Sequence, residues 1–247
     1  MAKKIVLISP ELCIGCRACR TACNTWIQLT GVKKVSSCSL ENQPDFTLHL
    51  CDRIRYVEMP LEKNSVRLLF INQRCMHCND AWCVNSCPSP GALYKTEEGL
   101  TVFTRERCTG CRLCISACPF NMSGNGTDNK IGRCHLCYDR ITKGIAPACA
   151  KICPTGAIQY GEQEKLLKMA RRAGHEKVFR VADHGGSDIL YAFKDVLKVY
   201  RFDEKPEIPE AVVFWHRLLR PFAYASLGFA VAAFQFYSLV FGRRTMK

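Results

Sequence analysis

The sequence predicts an α+β chain built from small repeated modules, in which short strands and short helices alternate, closed by one long apolar helix at the C-terminus. Three observations predict it. Eighteen cysteines stand in 247 residues, and sixteen of them fall into four groups of nearly uniform spacing. The segments between groups carry brief strand signals punctuated by Pro and Gly turns. Residues 221–241 carry no charge at all. A chain that is 48% hydrophobic also has the apolar content to fold, which excludes a disordered tail.

The cysteines come first, because they are the largest departure from ordinary composition. Group one is Cys13, Cys16, Cys19 and Cys23; group two is Cys75, Cys78, Cys83 and Cys87. Group three is Cys108, Cys111, Cys114 and Cys118; group four is Cys134, Cys137, Cys149 and Cys153, which leaves Cys38 and Cys51 over. Groups one and three have C-x2-C-x2-C-x3-C spacing, and groups two, three and four end in Cys-Pro at Pro88, Pro119 and Pro154. Zinc needs four ligands in two C-x2-C knuckles, so a third cysteine three residues on is surplus to it. Disulfides fit worse, since cysteines this close in sequence seldom bridge and sixteen thiols leave the pairing underdetermined. The pattern is that of bacterial ferredoxins, in which three close thiolates and one distant thiolate hold each 4Fe–4S cluster. Groups two and four delay their third cysteine, to Cys83 and Cys149, which the cluster tolerates because it fixes sulfur positions and not the chain between them.

The linkers suggest which groups go together. Residues 92–103 read as strand, Glu97-Glu98-Gly99 turn, strand, so groups two and three form one two-cluster module. Group four is followed by Pro154-Thr155-Gly156-Ala157-Ile158, the turn expected after a ferredoxin half, which leaves group one as its partner. The expected organisation is two nested bacterial-ferredoxin-like modules: 1–72 with 131–161 as the first, carrying an insertion, and 73–130 as the second. A helix and linker region follows at 162–210, its helix at 162–173 ended by Gly174, and a transmembrane anchor at 211–247. The cross-over rule then assigns four clusters. Cys13, Cys16 and Cys19 join Cys153; Cys134, Cys137 and Cys149 join Cys23. In the second module Cys75, Cys78 and Cys83 join Cys118, and Cys108, Cys111 and Cys114 join Cys87. Clusters spaced this way stand within electron-tunnelling reach, so the chain reads as a wire.

Charge and missing motifs narrow the function. The formal +13 counts every cysteine as neutral, and sixteen thiolates on four clusters with cores near 2+ bring it down to roughly +5. No basic helix or aromatic-basic motif accompanies the charge, which argues against nucleic acid. No phosphate loop, nucleophile-base pair or G-x-G-x-x-G run is present, so no catalytic residue is assigned. Lys3-Lys4 followed by Ile5-Val6-Leu7-Ile8 reads as a first strand, not as a secretory signal.

Five further features stand beside the spacing: Cys13-Ile14-Gly15-Cys16-Arg17-Ala18-Cys19 through Trp26, Glu41-Asn42-Gln43-Pro44-Asp45 with Arg53-Ile54-Arg55-Tyr56, Cys75-Met76-His77-Cys78, residues 91–99, and residues 134–156. In these the chain resembles the beta, or iron-sulfur, subunit of membrane-bound formate dehydrogenases, within the four-cluster subunits that serve molybdopterin oxidoreductases. The likeness is strong over residues 5 to 161 and architectural beyond. The resemblance implies a non-catalytic electron-transfer subunit, with a molybdenum or tungsten catalytic subunit on one side and a membrane cytochrome b or quinone-reactive subunit on the other. It also implies that electrons enter at the Cys13 cluster and pass by the Cys134 cluster into the second module. The same wire in a polysulfide, sulfoxide or nitrate reductase is the alternative.

The C-terminal stretch 221–241, about 31 Å long as a helix, is expected to span the bilayer. Arg217 and Arg220 flank one end and Arg243, Arg244 and Lys247 the other, with Trp215, Tyr224 and Tyr237 as interfacial anchors and Gly228 and Ala232 as a small-residue face. The basic tail puts the cluster domain on the periplasmic side, with the cytoplasmic side as the alternative. His77 and His135 lie within C-x2-C loops and are expected to bond around the clusters and not to ligate them. His216 reads as interfacial, and Cys38 and Cys51 as free thiols.

Overall fold

The structure, a computed structural model, describes residues 3–27, 51–61, 65–122, 124–125, 129–175, 177–179, 185–194 and 209–241. Cys38, the 41–45 segment, the 201–208 linker, the basic residues after 241 and the side chain of His216 lie outside the described residues. The chain divides into two compact units, Met1–Glu207 and Ile208–Lys247.

In the first unit the apolar run of the N-terminus forms the centre of a four-stranded sheet. Strand β1 (Lys4–Ile8) is followed by helix α1 (Ala18–Trp26), and a long hairpin follows, β2 (Asp52–Pro60) and β3 (Val66–Arg74). The short elements α2 (Trp82–Asn85), β4 (Leu93–Lys95), β5 (Thr101–Phe103), α3 (Leu113–Ser116), β6 (Gly124–Asn125), β7 (Ile131–Gly132), α4 (Tyr138–Ile141) and α5 (Ala148–Ile152) carry the middle of the chain. Strand β8 (Ile158–Glu162), helix α6 (Gln163–Arg172), β9 (Lys177–Phe179) and β10 (Ile189–Phe193) complete the unit. The sheet order is β8-β1-β10-β9, with β1 antiparallel to β8 and parallel to β10.

That order brings the start of the chain to the stretch after group four. Ile8 pairs with Ile158 and Lys4 with Glu162, so β1, which leads into group one, and β8, which leaves group four, share one ladder. Helices α1 and α5, which carry cysteines of those same groups, pack on each other. The expected hairpin between groups two and three is present as β4–β5, Leu93 opposite Phe103. One face of the main sheet buries Ile5, Leu7, Leu190 and Ala192 under Leu166 and Ala170 of α6. The other face joins the larger core with Val6, Ile8, Ile189 and Tyr191, into which several cysteines also pack.

The second unit holds α7 (Glu210–Phe214), a wider π-type turn Trp215–Leu219, and α8 (Arg220–Phe241), 22 residues long. The expected transmembrane helix is corrected here: among the described residues no helix is long and apolar enough to cross a membrane. The single-pass localisation falls with it, along with the expected choice of side for the cluster domain. The physical reason lies in what freedom from charge leaves uncounted. Pro221, Tyr224, Ser226, Gly228, Gln235, Tyr237 and Ser238 are all uncharged, yet each adds little or nothing to transfer into hydrocarbon.

Candidate functional site

Two of the cysteine loops share an unusual backbone. In Cys13-Ile14-Gly15-Cys16-Arg17 and Cys108-Thr109-Gly110-Cys111-Arg112 the glycines sit at φ +68° and +75°, and the arginines after the second cysteine at +60° and +63°. Two left-handed residues on either side of a cysteine turn the loop back on itself, so three sulfurs face one volume instead of spiralling away. Only glycine takes the first position without strain. Each arginine then caps the short helix that delivers the third cysteine, Cys19 in α1 and Cys114 in α3.

Three hollows result, and each is ringed by four cysteines drawn from two groups. The first is lined by Cys13, Cys16, Cys19 and Cys153. A second is lined by Cys75, Cys78, Cys83 and Cys118, and a third by Cys87, Cys108, Cys111 and Cys114. Cys23, Cys134, Cys137 and Cys149 also come together. Burial pushes the Cys137 thiol up to about 12, opposed by the Ala148 amide and reinforced by Cys149 and Cys23. Burial likewise drives Cys134 well above its usual range, with Arg74 pulling back and Cys23, Cys75 and Cys149 adding to the rise. In the same way, burial raises Cys114 to about 12 and Cys118 to about 11.

The donor set fits an extended cluster better than a single ion. Among the described residues no group of three His, Cys, Asp or Glu closes on a point as a mononuclear site requires. The cysteines instead surround volumes, and buried cations point at their sulfurs. Arg74 donates from Nη1 to Cys149 Sγ at 2.8 Å, and Arg133 from Nη2 to Cys75 Sγ at 2.7 Å and from Nη1 to Cys83 Sγ at 3.1 Å. Asn72 Nδ2 lies 3.4 Å from Cys19 Sγ, and the amides of Met122 and Leu136 approach Cys118 and Cys134 at 3.5 and 3.4 Å. Donors of this kind satisfy thiolate lone pairs and stabilise the anionic form.

Several of these partners escape the sequence reading. Arg74, Arg133, Asn72 and Asp52 look like ordinary strand residues, although Arg-Cys-x-x-Cys recurs at 74–78 and 133–137. Cys51 lies buried beside Cys23, and their hydrogen bond is the main cause, with burial, of the raised Cys23 pKa. His77 is fully buried, and its Nδ1 accepts from the Thr101 amide at 3.3 Å. Burial, then Arg133 and Lys95, hold its pKa well below the usual range, so it is neutral.

A fold of cysteine-lined hollows between short ferredoxin-type elements defines an iron-sulfur protein, and the comparisons agree. A 4Fe–4S dicluster domain matches residues 66–163 and a 4Fe–4S binding domain residues 10–26. The formate dehydrogenase-O iron-sulfur subunit of Escherichia coli is 33% identical over 91% of this chain and 78% of its own length. The nitrate-inducible formate dehydrogenase iron-sulfur subunit of the same organism is 33% identical over 96% and 84%. A thiosulfate reductase electron transfer subunit of Salmonella typhi is 31% identical over 78% and 93%. The chain belongs to the family of formate dehydrogenase iron-sulfur subunits, and it is an electron-transfer subunit, not a catalytic one.

Proposed function

We propose that the sixteen grouped cysteines hold four 4Fe–4S clusters, and that the chain connects a formate-oxidising molybdopterin subunit to a second redox subunit of cytochrome b or quinone-reactive type. The observation that carries the cluster count is the set of hollows, each ringed by four cysteines from two sequence groups, with a fourth such quartet at Cys23, Cys134, Cys137 and Cys149. The membership of these quartets supports the cross-over pairing. Bound clusters of this kind supply one-electron exchange at potentials tuned by hydrogen bonds and burial.

The chain's own residues account for the rest. The loops at Gly15 and Gly110 direct sulfurs inward, the sheet β8-β1-β10-β9 ties group one to group four, and β4–β5 ties group two to group three. Cys16 and Cys111 are exposed, at opposite ends of the proposed order, where redox partners could approach. Formate as the electron source is supported by the relatives' identity, and the thiosulfate reductase relative supports the same wire serving another molybdopterin enzyme.

The test is anaerobic purification of the whole complex, followed by formate-dependent bleaching of its visible absorption and identification of the co-purifying large subunit. Bleaching by formate is the expected result. Bleaching by dithionite alone, with a large subunit that does not oxidise formate, moves the wire to a sister reductase. Cys153→Ala should remove or alter the cluster shared with Cys13, Cys16 and Cys19, about 130 residues away in sequence. Loss of the Cys134 cluster instead would overturn the pairing.

A further inference from the structure

Among the described residues Arg74 and Arg133 are the two arginines buried deepest, at 2% and 5% exposure, and the geometry between them is reciprocal. Arg74 is bonded in sequence to Cys75, yet its guanidinium reaches Cys149 Sγ at 2.8 Å. Arg133 is bonded in sequence to Cys134, yet its guanidinium reaches Cys75 Sγ at 2.7 Å and Cys83 Sγ at 3.1 Å. Each arginine therefore starts beside a cysteine of one quartet and ends on sulfur of the other. Cys134 and Cys75 feel each other's charge, so these two quartets adjoin.

We propose that Arg74 and Arg133 form a crossed pair that sets the reduction potentials of the two central clusters of the wire, each arginine acting on the cluster it does not adjoin in sequence. The inference rests on the cluster reading given above. A guanidinium hydrogen-bonded to a ligand sulfur stabilises the state carrying one more electron, and so raises the potential of that cluster. The two sites are not equivalent in charge. Arg74 is shared with Asp52, whose Oδ2 accepts from Nη2 at 3.1 Å, and with Asn72, whose Oδ1 accepts from Nε at 2.6 Å. Arg133 has no carboxylate within ion-pair distance among the described residues, and the thiolates of its quartet are its counter-charge. A buried cation with no carboxylate beside it exerts the larger net field on the sulfurs it touches, so Arg133 raises its cluster more than Arg74 raises its own. The Cys75 cluster then lies higher than the Cys134 cluster, which favours electron flow from the first module into the second.

The test is a redox titration followed by electron paramagnetic resonance on the full complex, comparing wild type with Arg133→Gln, Arg133→Lys and the double variant Asp52→Asn/Arg74→Gln. The double variant removes the buried pair together, so that no lone carboxylate is left in the core. Signals are assigned by ligand variants Cys83→Ser and Cys149→Ser. Arg133→Gln is expected to lower the Cys75 cluster by the equivalent of at least a tenfold change in its electron equilibrium, about 59 mV for one electron, with the Cys134 cluster shifting less. Arg133→Lys keeps the charge and should recover part of that shift. The double variant should act on the Cys134 cluster. Shifts falling on the sequence-adjacent cluster, equal shifts for Gln and Lys, or unchanged potentials with full iron content would overturn the crossed pair. Absence of iron from the wild type would instead overturn the cluster reading itself.

Discussion

Thiols buried as these are do not ionise readily, and that sets how the chain behaves before metal is bound. Burial raises Cys118 to about 11 and Cys114 and Cys137 to about 12, whereas an unfolded chain ionises its thiols near 8.5 to 9. The sign follows directly. Below about 9 these groups are neutral in both states and cost the fold nothing; as pH rises from 9 toward 12 the unfolded chain ionises first, and the metal-free fold loses stability. Urea melts of chelator-treated chain should therefore show a lower midpoint at pH 10 than at pH 7, and an unchanged midpoint would contradict the burial of the quartets. The same neutral thiols must each release a proton on taking up iron, so reconstitution should release protons to the medium. At this scale the sequence shows the ligands and hides their partners. Sixteen cysteines announce themselves by spacing, but Arg74, Asn72 and Asp52 meet only because β2 and β3 pair Asp52 with Arg74 across a hairpin.

Loops and strands are where spacing becomes geometry. Gly15 sits at φ +68°, and a Cβ there would lie 2.7 Å from the Phe70 ring; Gly110 sits at φ +75° with a Cβ 3.0 Å from the Asn129 carbonyl. Gly15→Ala should thus cost about 1–3 kcal/mol through backbone strain and the displaced ring, measured by denaturant unfolding of the chain. A neutral result would mean that the loop relaxes without loss and is not held in the left-handed form. The strand at 5–8, the β4–β5 hairpin and the helix ended by Gly174 were all legible, because apolar runs, Glu-Glu-Gly turns and a glycine stop are local signals. The terminal helix was legible as a helix and misread as a span. Absence of charge is easy to count along 221–241, but Gln235, Ser226, Ser238 and two tyrosines dilute its hydropathy, and no described helix is long and apolar enough to cross a membrane. The β2–β3 hairpin was not read from the sequence, although Arg53-Ile54-Arg55-Tyr56 alternates charged and apolar residues as a half-buried strand does.

Taken whole, the first unit uses one sheet and two hairpins to bring distant cysteines together. β1 between β8 and β10 gathers group one, group four and the chain beyond it, with Tyr191 Oη donating to the Asn72 carbonyl at 2.8 Å to fix β10 against the hairpin. Groups two and three lie between, closed by β4–β5, so the second pair of groups is nested in the first along the chain. Under the proposed function that nesting makes a line of four redox sites out of two repeats, with Arg74 and Arg133, each next to a group's first cysteine in sequence, at the join. Whether every quartet holds a 4Fe–4S cluster is decided by iron and acid-labile sulfide per chain, measured on the anaerobically purified complex. About sixteen irons and sixteen sulfides per chain is the predicted result. About eight would leave only one module filled, and zinc without sulfide would contradict the account outright.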